Sequence, residues 1–458
     1  MSQHVTDVVS QAAAALDEWW GAPVERRAAV LESIANALDG QVEVLSELAE
    51  SETSLGVPRL VGEVARTTFQ LRLFASALRE GRILRPESDP EVSGSPPEGH
   101  PALARSYLPI GVVAVFGASN FPFAFGVLGG DSASALAAGC AVVVKVHPAH
   151  PRLSRRLIAL AREAIAAVDA PQDLLTSVEG VQEGADLVVA REVQAVGFTG
   201  SQSAGRLLFD LASSRPDPIP FYGELSSLNP VAVTPGAART RADEIAKGFA
   251  ESLTLGAGQF CTKPAVVVVP REARLVERTL ELLIEVPDAT LLTEEITERF
   301  TGAITRLTDD SHATVSISRE PGAGKVSAAL IESEIADFLA PGSVLRDECF
   351  GPSAVVLPYD DPNEAVQVLS VDEGVLVGCV HGDEGEPEAR AFVRALSRRA
   401  GRVVWNGWPT GVAVTASQMH GGPWPATTTS IHTSVGLHAV ERFARPVVLQ
   451  GMPPGLVL

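Results

Sequence analysis

Short, uninterrupted apolar runs alternate along this chain with segments whose apolar positions recur every three or four residues, and that alternation predicts most of its elements. Between 24 and 49, Val30, Leu31, Ile34, Leu38, Leu45 and Leu48 keep a helical spacing, broken at Asp39-Gly40 into two helices. A further helix over 59–79 sets Leu60, Val64, Leu71, Phe74 and Leu78 on one side. The stretch 86–101, rich in Pro, Gly, Ser and Glu, has no period and predicts a connecting segment. Val112–Phe116 is a continuous apolar strand, followed by a Gly/Ser/Asn turn and an Ala-rich helix over 123–138. Ala141–Lys145, Leu174–Val178 and Ala195–Phe198 read as further buried strands, with a helix over 153–168. A second series starts at Val231, with a helix over 241–255 and strands over 265–269 and 354–357; the pattern over 275–345 is less legible. Strands that are apolar throughout, alternating with helices, predict an α/β fold of mostly parallel sheet covered on both faces. Ligands of such sheets lie beyond the strand C-termini, where Asn120, Lys145 and Gly200 all fall. The stretch 405–445, crowded with Gly, Pro, Thr and aromatics, is expected to return over the first domain.

Composition narrows the function classes. A chain of 458 residues predicts two or three domains. Its net charge of −20, from 56 acidic and 36 basic residues, argues against nucleic-acid and anionic-membrane partners. The N-terminus lacks an apolar signal core and no uncharged apolar run is long enough to span a bilayer, so a cytoplasmic location is expected. Cys140, Cys261, Cys349 and Cys379 are scattered without C-x-x-C spacing, which points away from a zinc site and from a disulfide framework.

Four places carry candidate chemistry. Cys261 ends the run Leu253-Thr254-Leu255-Gly256-Ala257-Gly258-Gln259-Phe260-Cys261-Thr262, in a Gly-rich turn before a buried strand. Such a turn admits other groups close to the sulfur and frees N–H groups for a reacting oxygen. A small buried hydrophobe is the alternative. Phe198-Thr199-Gly200-Ser201-Gln202-Ser203-Ala204-Gly205 follows a strand and opens a helix, so its N–H groups suit a phosphate. It is neither a GxGxxG motif nor a P-loop, since Arg206 replaces the lysine, and a plain turn capped by Ser201 fits it as well. Lys145 at a strand end reaches either a ribose or phosphate, or solvent. Glu224 is either a partly buried general base or a surface carboxylate. His147 and His150, in His-Pro-Ala-His-Pro, lack metal-ligand context, and no metal is expected.

In combination the motifs become specific. Asn120, Lys145, Gly200 with Gly205, Glu224, Cys261 and Glu348-Cys349-Phe350-Gly351-Pro352 occur in the order and approximate spacing of the aldehyde dehydrogenase superfamily, which the chain resembles from about residue 20 to about 450. Val115-Phe116-Gly117-Ala118-Ser119-Asn120-Phe121-Pro122, Lys145-Val146-His147-Pro148-Ala149-His150-Pro151, Asn406-Gly407-Trp408-Pro409 and His420-Gly421-Gly422-Pro423-Trp424 are similar to one subgroup. That subgroup holds α-ketoglutaric semialdehyde (2,5-dioxovalerate) dehydrogenases and NADP-dependent long-chain aldehyde dehydrogenases of luminous bacteria. The resemblance implies two doubly wound α/β domains, a Rossmann-like cofactor domain and a catalytic domain, with a small oligomerisation element. Residues 1–235 with 412–440 would bind cofactor, 236–411 would carry Cys261, and 84–107 and 441–458 would connect or oligomerise.

The resemblance also implies roles. Cys261 would attack the aldehyde, Asn120 and the Cys261 N–H would hold the oxyanion at about 3 kcal/mol per donor, and Glu224 would activate water. Lys145, His147, Pro148, Gly200, Ser201, Gly205, Glu348 and Phe350 would bind the cofactor. NADP is preferred over NAD, because Pro148 leaves no carboxylate to repel a 2′-phosphate and Arg152, Arg155 and Arg156 follow. The luminous-bacterial member, however, has an arginine at about Gln182. Phe121, Phe125, Met419 and Trp424 would line the substrate tunnel, and Arg66 and Arg72 would meet a distal carboxylate. Where the subgroup carries Asp-Ser-Arg, this chain reads Thr429-Ser430-Ile431-His432. The partners implied are a small-molecule aldehyde and further copies of the chain, as a homodimer or dimer of dimers. A broad-range aldehyde dehydrogenase is the alternative reading. A coenzyme A-acylating enzyme, against which Glu224 argues, and a non-catalytic family member stand further off.

Overall fold

The valine-rich runs are strands because both their faces are covered. The computed structural model describes residues 2–453; Met1 and 454–458, the end of the expected 441–458 segment, lie outside the described residues. Four helices come first: α1 (Gln3–Trp19), α2 (Val24–Asp39), α3 (Val42–Thr53) and α4 (Val57–Arg79). They bury Val30, Leu31, Ile34, Leu38, Leu60, Val64, Leu71 and Phe74 against the first sheet. A short strand, β1 (Glu87–Asp89), interrupts the stretch read as a plain connection, because it pairs antiparallel with β2 (Leu103–Pro109).

The first sheet follows: β3 (Val112–Phe116), α5 (Gly130–Ala138), β4 (Ala141–Lys145), α6 (Pro151–Ala166), β5 (Leu175–Val178), α7 (Val181–Val189), β6 (Val193–Thr199), α8 (Gln202–Ser213) and β7 (Phe221–Glu224). Its order is β5-β4-β3-β6-β7, with every pair parallel. The direction of winding reverses between β3 and β6, where such sheets open a crevice beyond their strand ends. The helix expected over 123–138 forms only from Gly130. A Cβ on Gly129 would stand 2.0 Å from the Ala124 carbonyl oxygen, so the chain folds back on itself there. The Phe123 and Ala124 N–H groups donate to Glu63 of α4 instead of to a preceding turn.

The second sheet takes β8 (Pro230–Val233), α9 (Pro235–Thr254), β9 (Val266–Pro270), α10 (Leu275–Leu283), α11 (Glu294–Asp309), β10 (Ala313–Ile317), β11 (Ala329–Ser333), α12 (Ile335–Leu339), β12 (Ser353–Tyr359), α13 (Pro362–Leu369), β13 (Val375–His381), α14 (Pro387–Leu396) and β14 (Ala400–Trp405). Its order is β10-β11-β12-β9-β8-β13-β14, antiparallel only between β10 and β11. Strand alternation divides its valines: Val266 and Val268 join one apolar cluster, Val267 and Val269 the other. Helix α9 starts before Arg241, at Pro235 behind the N-cap Thr234, and kinks at Arg241. The C-terminal segment does return to the first sheet: Leu225 N–H donates to the Ala426 carbonyl at 2.8 Å and Thr428 N–H to that of Gly223 at 3.1 Å. The last strand, β15 (Ala444–Gln450), completes a small sheet, β1-β2-β15.

Candidate active site

The thiol loop is built by glycines at the end of α9. Gly256, Ala257 and Gly258 all adopt left-handed φ, between +57° and +68°. A Cβ on Gly258 would lie 2.3 Å from the Gly351 carbonyl oxygen, so only glycine lets this loop close on the Glu348–Pro352 turn. The Cys261 carbonyl accepts from Asn229 Nδ2 at 2.7 Å, fixing the backbone below the sulfur, while the Cys261 N–H turns toward its own Sγ. Burial, and then the Glu224 and Glu348 carboxylates, push the Cys261 thiol up to about 12. At rest the sulfur therefore keeps its proton.

Asn120 lies in the loop after β3, buried, with Nδ2 donating to the Gln259 carbonyl at 2.8 Å. One amide hydrogen is thus spent on the thiol loop and the other is left for a ligand. Glu224 ends β7, buried, and desolvation raises its carboxyl to about 8; Arg442 works against that shift and Asp131 with it. Behind it Arg442 and Asp131 form a buried ion pair, Nη2 to Oδ1 at 2.7 Å. Between the Glu224 carboxylate and the Cys261 thiol stands His420, a residue without an expected role. Its Nε2 is 3.8 Å from Cys261 Sγ and 3.9 Å from Glu224 Oε2. Burial foremost, with Arg402, Arg66 and Arg442 nearby, depresses its imidazole to about 3, so it stays neutral. The thiol and this imidazole are far apart in the chain, and nothing local in a single sequence pairs them.

An aromatic wall completes the pocket. Phe121 meets Phe125 and Phe260 edge to face, at 5.5 and 5.1 Å between centroids, and Phe125 lies 6.2 Å from the His420 ring. The Arg66 guanidinium sits 5.0 Å over Phe125, with Nη2 reaching the Val412 carbonyl at 3.4 Å and Nη1 buried without a hydrogen-bond partner among the described residues. Two expected lining residues are placed elsewhere. Arg72 is six positions past Arg66, about 120° around the helix, and pairs with Asp39 at 2.7 Å on the outer surface. Trp424 is exposed and lies against Arg206 of α8, on the first-sheet side. The Met419 methyl packs on Gly421, beside His420.

Lys145, His147, Pro148, Gly200, Ser201 and Gly205 lie at the C-terminal edge of the first sheet, and Glu348 and Phe350 precede β12 of the second. Lys145 ends β4, and desolvation lowers its pKa. His147 accepts the Ala149 N–H at 3.1 Å and stacks on His150; burial first, then His150 and Lys145, lower it to about 3. Pro148 is exposed at this edge. Among the described residues, no group of three or more His, Cys, Asp or Glu side chains could hold a metal ion. Ser201 caps α8 through the Ala204 N–H at 3.3 Å, and the turn around Gly200 is open to solvent. A Cβ on Gly205 would meet Leu225 at 2.3 Å, so the first turn of α8 packs close against the end of β7. Glu348 is bonded to the Ser226 hydroxyl and the Ser227 N–H beside the same crevice, with Phe350 half-buried next to it. An exposed helix N-terminus with a lysine and a carboxylate flanking one crevice fits a dinucleotide's pyrophosphate and riboses.

Three comparisons bear on this geometry. A family model described as "Aldehyde dehydrogenase family" matches residues 1–445. Over 456 residues the chain is 41% identical to "Alpha-ketoglutaric semialdehyde dehydrogenase 2" of Azospirillum brasilense, covering 97% of this chain and 86% of that one. It is 36% identical over 460 residues to "Alpha-ketoglutaric semialdehyde dehydrogenase" of Acinetobacter baylyi, covering 98% and 87%. The solved structure of an NAD-dependent aldehyde dehydrogenase from Sinorhizobium meliloti shares the fold, with a TM-score of 0.82 at 22% identity over 98% of this chain and 88% of that one.

Proposed function

Since this chain belongs to the aldehyde dehydrogenase family and is an aldehyde-oxidising, NAD(P)-dependent oxidoreductase, we propose that its substrate is α-ketoglutaric semialdehyde, oxidised through a thioester on Cys261. The observation that carries this reading is the convergence of thiol, amide and carboxylate at the foot of an aromatic pocket that also holds Arg66. Cys261 Sγ adds to the aldehyde carbon as its proton leaves by way of His420 toward Glu224. The 3.9 Å gap between those two is longer than a hydrogen bond, so the transfer calls for a closer approach during turnover. The second amide hydrogen of Asn120 and the Cys261 N–H meet the oxygen that becomes negative. NAD(P), when bound, supplies acceptance of the hydride. Lys145 and Glu348 would hold its ribose hydroxyls, Ser201 and the N–H groups of α8 its pyrophosphate, and Phe350 would support the nicotinamide, with His147, Pro148, Gly200 and Gly205 shaping the crevice. Once it has passed the thiol's proton on to solvent, the ionised Glu224 draws a proton from water, which adds to the thioester, expels the Cys261 sulfur and releases the acid.

Arg66 supports the dicarboxylic substrate. Its Nη1 and, one turn further along α4, Gln70 Nε2 are buried donors without partners among the described residues, and a distal carboxylate satisfies both. The two relatives named for this semialdehyde point the same way. The phenylalanine wall favours a second reading, a broad range of aliphatic and aromatic aldehydes. NADP is supported by Pro148, but Arg155 is tied to Glu179 at 2.7 and 2.6 Å and Arg156 to Gln41 at 2.6 Å, so Arg152 is the cation offered to a 2′-phosphate. A panel of 2,5-dioxovalerate, succinic semialdehyde, hexanal and benzaldehyde, run with NAD and with NADP, tests the substrate. The highest kcat/KM is expected for 2,5-dioxovalerate with NADP, and no turnover for Cys261→Ala although it still binds nucleotide. A preference for hexanal would favour the second reading, and an active Cys261→Ala would remove the thioester.

A further inference from the structure

Helix α4 reaches the reacting groups at a second place, one that neither substrate nor cofactor explains. Arg59 Nη2 donates to the Asn120 backbone carbonyl at 2.6 Å. Its guanidinium lies 5.0 Å from the ring centroids of both Phe121 and Phe260. Phe121 follows the oxyanion-binding amide and Phe260 precedes the thiol, so one cation is packed on the neighbours of both. The thiol loop touches it again: a Cβ on Gly256 would come within 2.8 Å of Arg59 Nη1. One turn along α4, buried Glu63 accepts the Phe123 and Ala124 N–H groups at 2.7 and 2.9 Å, fastening the next stretch of the Asn120 loop to the same helix. The Asn120 loop leaves the first sheet and the Cys261 loop enters the second.

We propose that Arg59 is a positioning residue, a strut between the two loops that sets the separation of the Asn120 amide from Cys261 Sγ, with Glu63 anchoring its helix. Arginine suits the task, because a planar guanidinium packs its flat surface against aromatic rings while donating in its own plane; lysine's ammonium has donors but no flat surface to stack. The strut rests on the reading of Asn120 as an oxyanion donor. A misplacement of about 1 Å at such a donor is worth about 100-fold in rate.

The test compares Arg59→Ala, Arg59→Lys, Asn120→Ala and the double variant Arg59→Ala/Asn120→Ala, with the burst of reduced cofactor counting active sites. Arg59→Ala is expected to lower kcat about 10- to 100-fold per active site, to leave nucleotide Kd unchanged, and to recover part of its rate with added methylguanidinium. The double variant is expected to be no slower than Asn120→Ala, since Arg59 acts through that amide. Wild-type kcat in Arg59→Ala, or losses that multiply in the double variant, would overturn the strut. Should Arg59→Ala fail to fold, Arg59→Lys takes its place in the same cycle, with a smaller loss expected and full activity overturning the proposal. A wild-type rate in Asn120→Ala would remove the oxyanion reading and the strut together; a slow Asn120→Ala beside a fast Arg59→Ala removes the strut alone.

Discussion

Replacing Glu224 by glutamine should turn steady catalysis into a single burst. Burial lifts this carboxyl from 4.5 to about 8, so about one protein in ten carries the ionised base at pH 7 and about nine in ten at pH 9. Where thioester hydrolysis limits the rate, it should climb about tenfold from pH 6 to pH 7 and level off above pH 8. Glutamine keeps the shape and loses the basicity. Rapid mixing should then show about one reduced cofactor per Cys261, formed more slowly because the thiol's proton acceptor is also lost, followed by turnover slowed about 10²- to 10⁴-fold. The same shift acts on stability, with a definite sign. From pH 4.5 to about 8 the folded protein holds a proton on Glu224 that the unfolded chain has released, so stability is lost as pH rises through that window. A shift of that size corresponds to at most about 5 kcal/mol, at about 1.4 kcal/mol per unit. Glutamine does not titrate, so its cost of about 1–3 kcal/mol for an unpaired buried amide is the same at every pH. The stability of Glu224→Gln relative to wild type should therefore improve by a few kcal/mol from pH 5 to pH 9, read from urea denaturation. Undiminished steady turnover in the variant, or a wild-type hydrolysis rate flat across this range, would refute the assignment of Glu224 as a buried base.

Two further substitutions separate substrate from cofactor. Arg66→Ala should raise KM for 2,5-dioxovalerate about 10- to 100-fold, the loss of a charge-assisted hydrogen bond of about 1.5–3 kcal/mol, while KM for hexanal stays near its wild-type value; equal changes for both would remove the carboxylate role. Arg152→Ala should lower kcat/KM with NADP and spare NAD, as steady-state kinetics with each cofactor will show; an unchanged ratio would remove Arg152 from 2′-phosphate recognition.

Much of this molecule was written locally. A run such as Val112–Phe116 or Val266–Val269 has only apolar faces to offer, so it becomes a strand covered on both sides wherever it sits. The same local logic stops α2 at Gly40 and caps α8 at Ser201. Glycines around Cys261, an amide after one strand and a carboxylate after another could be named from residue type and position, and the structure brings the three to one crevice. Tertiary packing decided the rest. It halted the helix expected over 123–138 by offering Glu63 as the acceptor for two of its N–H groups, a partner far away in the chain. It turned Arg72 outward and left Arg66 over Phe125, a difference of helix face that becomes meaningful only once the neighbour of each face is known. It also set His420 between the Cys261 thiol and the Glu224 carboxyl and shifted all three pKa values, because desolvation depends on what surrounds a group in space, and neighbours in sequence do not fix that.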